Sequence, residues 1–520
     1  MNNSGMISPK ESSSYKWFIL GNVMISTFMV VLDSTVVNTA LPVIMGTLGA
    51  SMNTAEWILT GYMLSMATVL STTGWLSNRF GYKNSFIASL VIFTFGSLMC
   101  GNSSTIEELI FWRIIEGVGG GLLMPIGMSI VTTAFPPEER STALGFWAIA
   151  TAASVSFGPM IGGYLVDNFN WNYIFYINIP IGIICIVVTM VLQRRQDSPN
   201  NLKLDLLGLI TSATFLPVFL YGLSEVNAST NPAGWNSPVV IACMWISAVS
   251  FILFLYLELN VKSPLIDLKI FKDFKFSIAN FVILIFAIGM FGSTFLIPLY
   301  MQDTLGYSAF EAGLVFLPVG LVQAIGSPIA GRLAKTIDPR IIVVTGLAML
   351  ALSFFISGTF TLQTDRAYIV SSLILRGAGM GILYPPLLSV SLEGITEKQM
   401  AQASSITNII RQVGGSVGVA YFTYTLSIRK NFHSQIYSET IDYTGQTYKN
   451  IINKLAEFFS STGSETAESA RSISQQYIMQ WLNTEAYIKG INDDFFIGGI
   501  ITAIGIIPVL FLRRKKVKTK

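Results

Sequence analysis

Apolar runs of spanning length, separated by short polar connections, recur along the whole chain. A helix needs roughly 20 mostly apolar residues to cross a bilayer. By that measure six spans are predicted at 17–44, 55–76, 86–102, 107–133, 141–165 and 172–192. A middle pair follows at 206–223 and 238–257, and six more come at 276–301, 311–331, 341–361, 367–391, 403–427 and 494–512. The pattern predicts an all-α polytopic membrane protein with 14 transmembrane helices. The first run, from Trp17, is longer than the apolar core of a leader peptide and reads as a span. One large polar segment, 428–493, breaks the alternation, and its patches near 451–459 and 477–481 have helical amphipathic spacing. It reads either as extracytoplasmic helical extensions of the last two spans or as a docking surface or lid at the exit.

Composition sharpens this picture. Charged residues make up 12% of the chain, about half the usual share in soluble domains. The three cysteines, Cys100, Cys185 and Cys243, lie in apolar context with no CxxC spacing, and His433 is the single histidine. That excludes a disulfide framework, a zinc site and a Ser-His-Asp hydrolase core. No cofactor, metal or nucleic-acid partner is expected, and the chain does not read as an enzyme.

The position of the charges says more than the net charge of +3. With the N-terminus inside, 22 Lys and Arg fall on the tails and inside loops, and one, Arg366, on the short outside loops. Such a bias orients a polytopic protein with its basic loops in the cytoplasm. Both termini are therefore expected to be cytoplasmic, in a bacterial cytoplasmic (inner) membrane.

A repeat fixes the architecture. Glu116-Gly117-x-Gly119-x-Gly121 recurs as Arg376-Gly377-x-Gly379-x-Gly381, and Gly74-x-Leu76 recurs as Gly331-x-Leu333 at nearly the same offset. This predicts two six-helix bundles, 1–200 and 261–520, with an inserted helix pair at 201–260 and a long extracytoplasmic loop at 428–493. Duplicated transporters place substrate between their halves and alternate access by rocking.

Several polar residues sit where apolar ones are cheaper. Asp33 lies inside the first span, in Leu32-Asp33-Ser34-Thr35-Val36-Val37-Asn38. An intramembrane carboxylate is a functional candidate by default, here a proton carrier; a structural hydrogen bond to a neighbouring helix is the plainer reading. Arg113 and Glu116 share a helix face at i, i+3, either as a pair that tunes a proton site or as a static support. The segment Gly74, Asn78, Arg79, Gly81, Lys83 forms a basic turn between spans 2 and 3, a conformational latch or a topology anchor. Gly158, Pro159, Gly162 and Gly163 end span 5 and permit a kinked, closely packed hinge. Arg376 and Arg411 are further span-embedded cations, and together with Asp33, Asn38 and Arg113 they are the expected lining of a substrate cavity. Glu225 and Glu258 lie at span ends and read as interfacial. Gly117–Gly121 has the look of a dinucleotide loop, but no strand precedes it.

Taken together these strings resemble the major facilitator superfamily, and within it the fourteen-span drug:proton antiporters of the EmrB/QacA type. Leu32 to Pro42 is similar to that family's first-span signature, Gly74 to Lys83 to the superfamily's loop signature, and Arg113 to Gly121 to its fourth-span signature. Gly158 to Gly163, with Trp171 to Pro180, is similar to the antiporter signature and its sequel. The resemblance implies the major facilitator fold and proton-coupled efflux of lipophilic, often cationic compounds. It puts Asp33 and Arg113 near the coupling site and Gly158, Pro159 and Gly162 at the antiport hinge; Glu116 joins the proton-coupling candidates through its spacing from Arg113. The superfamily loop usually carries Asp where this chain has Asn78, so its charge-relay latch is expected to be weakened or built differently. The implied partners are the bilayer, protons, a drug-like small molecule and, by analogy with Gram-negative relatives, a periplasmic adaptor. The alternative function is export of one native metabolite, lipid or siderophore.

Overall fold

The structure is a computed structural model that describes residues 13–50, 52–193, 205–226, 231, 233–261, 264–307, 309–440, 445–462 and 467–512. The basic positions Lys10, Arg194, Arg195, Lys203, Lys262 and 513–520 lie outside the described residues. The described chain is helical with no strand. Its helices are α1 (Ser13–Leu48), α2 (Met52–Leu70), α3 (Thr73–Gly101), α4 (Ile106–Ala134), α5 (Pro137–Asn168), α6 (Tyr173–Tyr176), α7 (Asn178–Leu192), α8 (Leu206–Val226) and α9 (Pro238–Asn260). There follow α10 (Phe274–Leu299), α11 (Ala309–Leu314), α12 (Leu317–Thr336), α13 (Pro339–Ser357), α14 (Arg366–Ser391), α15 (Glu397–Thr440), α16 (Gln446–Thr462), α17 (Ala467–Ile504) and α18 (Ile506–Val509).

Local chemistry sets the helix starts. Thr105 Oγ1 accepts the Glu108 N–H at 3.3 Å while Glu108 accepts the Ser104 N–H at 3.0 Å, a reciprocal cap for α4. Asp273 accepts the Phe276 N–H at 3.0 Å and opens α10. Among the described residues 11 helices are long and apolar enough to cross a bilayer. The predicted spans at 55–76, 141–165 and 403–427 fall on α2 with the first residues of α3, on α5 and on α15; α2, α5 and α15 are outside that set. These three are richer in Gly, Ala, Ser and Thr, the residues that let helices approach closely. Large apolar side chains cover the exterior: on α9, Trp245 is 68% and Ile252 66% exposed, which suits lipid and not water.

Two groups of helices emerge from the packing. α1 to α5 and α7 pack among themselves, as do α10, α12 to α15 and α17. α5 against α12 and α14, and α15 against α2, α3 and α4, form the seam between the groups. α8 pairs with α9 and also touches α2 and α15, so it lies along that seam. Glu258, expected at the interface, is 3% exposed and accepts the Ile266 N–H at 3.2 Å.

The sequence repeat has a spatial counterpart. A Cβ on Gly117 or Gly121 would fall within 2.6 Å of α2 backbone oxygens, and one on Gly119 within 2.4 Å of Phe93 N on α3. In the second group, Gly377 and Gly381 meet α12 at 2.5 and 2.9 Å, and Gly379 meets α13 at 2.9 Å. α4 and α14 thus use the same glycines for the same two neighbours. The seam repeats too: a Cβ on Gly74 would lie 2.4 Å from Gln402 Cγ, and one on Gly331 2.4 Å from the Ser141 carbonyl oxygen. Gly331→Ala is therefore expected to force the seam apart at this end. A cysteine placed at Ser141 should then be alkylated faster than with Gly331 intact. The three native cysteines are buried and add little background; unchanged labelling would show that the contact yields without opening.

The segment 428–493 is helical over its described residues. α15 has 44 residues and α17 has 38, about 66 and 57 Å of helix at 1.5 Å per residue. Both exceed a hydrocarbon core of about 30 Å, so each projects well beyond it, with α16 packed on α17.

Candidate functional site

The first group of helices encloses an ion cluster. Asp33 from α1 and Arg113 and Glu116 from α4 have side chains that are 0% exposed. Arg113 Nη1 donates to Asp33 Oδ2 at 2.6 Å and to Glu116 Oε2 at 2.9 Å. Its Nε reaches the Ile58 carbonyl of α2 at 3.4 Å. The guanidinium lies 3.9 Å from the centroid of the Tyr62 ring, with Phe175 at 5.6 Å on another side. Asn178 Nδ2 donates to Asp33 Oδ1 at 3.1 Å and to Ser97 Oγ at 3.0 Å, while Cys100 Sγ donates to Glu116 Oε2 at 3.4 Å. Glu116 Oε1 has no protein partner.

The charge count matters more than any one contact. Two carboxylates and one guanidinium carry net −1 when both acids are ionised. Unbalanced charge in a dry interior is costly, and a single proton on the cluster removes the imbalance. Six elements converge here: α1, α2, α3, α4, α6 and α7. A change in protonation therefore bears on the packing of the whole group.

The glycines at the end of span 5 clamp α5 onto α1 beside this cluster. A Cβ on Gly158 would lie 2.0 Å from Thr35 Oγ1, and one on Gly162 3.1 Å from Val36 Cγ1, whereas Gly163 faces open space. Pro159 lies within α5, which continues through it. Asn38 is exposed on the next turn of α1.

The 74–83 segment is more helical than the expected turn. α3 begins at Thr73, and the chain bends at Gly81, whose φ of +79° is open to glycine at little cost. Lys83 Nζ caps the Met190 carbonyl of α7 at 2.6 Å. Gly74 makes the seam contact described above, and Asn78 and Arg79 are both engaged in contacts.

Arg376 and Arg411 occupy different surroundings. Arg376 is 1% exposed, donates to Ser357 Oγ at 3.1 Å and lies 4.4 and 5.5 Å from the Phe354 and Phe495 centroids. No acid pairs with it among the described residues. Arg411 instead lines a cavity of about 510 Å³ between α2, α8, α10 and α15, within the size range of small-molecule sites. Thr60, Met63 and Leu64 of α2 form one wall. α2 thus shows Ile58 and Tyr62 to the ion cluster and Thr60, Met63 and Leu64 to the cavity.

Sequence reading missed Tyr62, Ser97, Cys100 and Asn178. Asn178 carried a signal, an amide inside an apolar span; the other three read as ordinary span residues, and only the fold shows what they touch.

A helical membrane protein with a sealed ion cluster against α2 and a cavity of small-molecule size beside it has the layout of a small-molecule transporter. The chain belongs to the Major Facilitator Superfamily, whose family model matches residues 23–419. It is 33% identical to the Multidrug export protein EmrB of Escherichia coli (strain K12), over 80% of this chain and 81% of that one. It is 29% identical to the Fatty acid resistance protein FarB of Neisseria gonorrhoeae, over 97% of both chains. Among solved structures, the human organic anion transporter MFSD10 (TETRAN) shares the fold at a TM-score of 0.62 and 11% identity, over 95% of this chain and 99% of that one.

Proposed function

We propose that this chain is a proton-driven exporter of amphipathic small molecules, a multidrug efflux pump working by alternating access. The observation that carries the reading is the dry cluster Asp33–Arg113–Glu116, one proton short of neutrality when both acids are ionised. The names of EmrB and FarB, an export protein and a resistance protein, support the outward direction. In this reading the chain crosses the inner membrane 14 times with both termini cytoplasmic, as its basic loops indicate. The closed seam at Gly74 and Gly331 then faces the cytoplasm, and the cavity opens toward the outside.

The coupling follows from α2. With one proton, Arg113 is balanced and holds α1, α2 and α4 together. Loss of that proton leaves an excess negative charge that is relieved only if the cluster opens to water. Because α2 is also the cavity wall, opening the cluster changes the cavity, and filling the cavity biases the cluster. The bend at Gly81 and the α1–α5 clamp at Gly158 and Gly162 are the places where such rocking is absorbed. An adaptor outside the membrane is the further part of the proposal, and the projecting α15–α17 hairpin is the surface it would use.

Inverted vesicles test this directly. Uptake of ethidium and of anilinonaphthalene sulfonate, one at a time, should show at least one probe accumulating when the lumen is acidified. An uncoupler should abolish that accumulation. Folded protein that moves neither probe would remove the reading.

A further inference from the structure

We infer that the cavity between α2, α8 and α15 is selective for charge and takes amphipathic organic anions, with Arg411 as the headgroup site. This rests on the transport reading above and names the substrate class for it.

The wall chemistry carries the argument. Leu64, Leu220, Leu223 and Phe291 supply the apolar surface, and Thr60, Ser416 and Thr423 a few hydroxyls. Arg411 is the one charged residue among the described lining residues, and no carboxylate faces it there. Asp33 and Glu116 are fully enclosed behind α2, and Glu225, which follows the lining residue Ser224 on α8, is not itself among the lining residues. A lipophilic cation in this space would meet like charge with no counter-ion. An anion would meet a guanidinium across apolar walls, where a charge-assisted contact is strong.

Arg411 is also held ready. Its Nη2 donates to Asn408 Oδ1 at 3.2 Å, while its Nε is buried without a protein partner. Asn408 is itself fixed by donating to the Ser404 carbonyl at 2.9 Å, and it lies 3.7 Å from Met128 Sδ of α4. The guanidinium is thus anchored from one side with donors to spare, the arrangement expected of a binding group and not of a filled ion pair. Its contrast with Arg376, caged by two phenyl rings, shows that a buried arginine alone does not make such a site.

α8 closes one side of the site. It lies along the seam, Leu220 and Leu223 close the cavity, and Tyr221 stacks on Trp57 of α2 at 5.7 Å. α8 is therefore one wall of the cavity, fixed against α2 beside it.

The test uses two probes of equal chain length and permanent charge, dodecanesulfonate and dodecyltrimethylammonium, below their micellar concentrations. Binding to the purified full chain in zwitterionic-lipid nanodiscs should be at least tenfold tighter for the sulfonate. Arg411→Gln should erase that preference, Arg411→Lys should keep part of it, and Arg411→Glu should reverse it. Equal affinities in the unaltered protein, or a preference for the ammonium probe, overturn the inference without needing any variant to fold. Nanodiscs containing anionic lipid distinguish a free amphiphile from a lipid phosphate. An unchanged sulfonate affinity supports the free anion, and a tenfold loss assigns Arg411 to lipid and overturns the substrate class. Because binding needs no proton gradient, this outcome is separate from that of the vesicle uptake.

Discussion

Arg113→Ala should destabilise the protein by roughly 3–5 kcal/mol, the range for stripping one partner from a buried ionic cluster. The loss is large because the change strands two carboxylates, each 0% exposed, and also removes the guanidinium packed on Tyr62 at 3.9 Å. It is checked by the thermal midpoint and monodispersity of detergent-solubilised protein. The compensating experiment is sharper than the single one. Arg113→Met combined with Asp33→Asn and Glu116→Gln leaves no charge in the cluster, and buried ionic groups replaced by uncharged ones of similar volume often restore stability. The triple variant should regain most of the midpoint and carry no proton-driven transport. A single variant as stable as the parent would mean that water reaches the cluster after all.

Asp33→Asn should have the opposite profile, with stability nearly kept and coupling lost. Asn is isosteric, its carbonyl still accepts from Asn178, and Arg113 remains balanced by Glu116 at 2.9 Å. The cluster then holds one cation and one anion and has no reason to bind a proton. Gradient-driven uptake should fall at least about tenfold, equivalent to about 1.4 kcal/mol in rate terms. Downhill movement of the same probe should persist. That split between uphill and downhill flux separates a coupling residue from a merely structural one. Loss of both fluxes in a well-folded Asp33→Asn protein would place Asp33 in substrate passage, not in coupling.

Much of this was legible in the sequence because the bilayer imposes a strong and simple pattern. Apolar length located 11 helices able to cross a bilayer among the described residues, and the repeat of Glu116–Gly121 at Arg376–Gly381 pointed to the matching roles of α4 and α14. A carboxylate at 33 and an arginine at 113 stood out because each is expensive in an apolar run. What joined them was not legible. Their sequence separation of 80 says nothing of contact, and Tyr62 and Cys100 look like ordinary lipid-compatible residues until the helices are assembled. The differing surroundings of Arg376 and Arg411 were equally hidden. Both are arginines in predicted spans, yet one packs on phenyl rings and the other faces a cavity, a difference set by which face of its helix meets a neighbour. The 74–83 segment shows the reverse limit. Its glycines and cations suggested a turn, and the structure keeps it helical up to Gly81, because only there does the chain need a positive φ.

The central claim is that one proton on the Asp33–Arg113–Glu116 cluster is exchanged for substrate. Proteoliposomes containing a trapped pH dye test it most directly, with an imposed gradient of anilinonaphthalene sulfonate or ethidium as the only driving force. The account predicts that whichever probe is transported moves protons the opposite way, and that Asp33→Asn moves the probe with no change in internal pH. Proton movement that survives in Asp33→Asn at the parent's rate would contradict it.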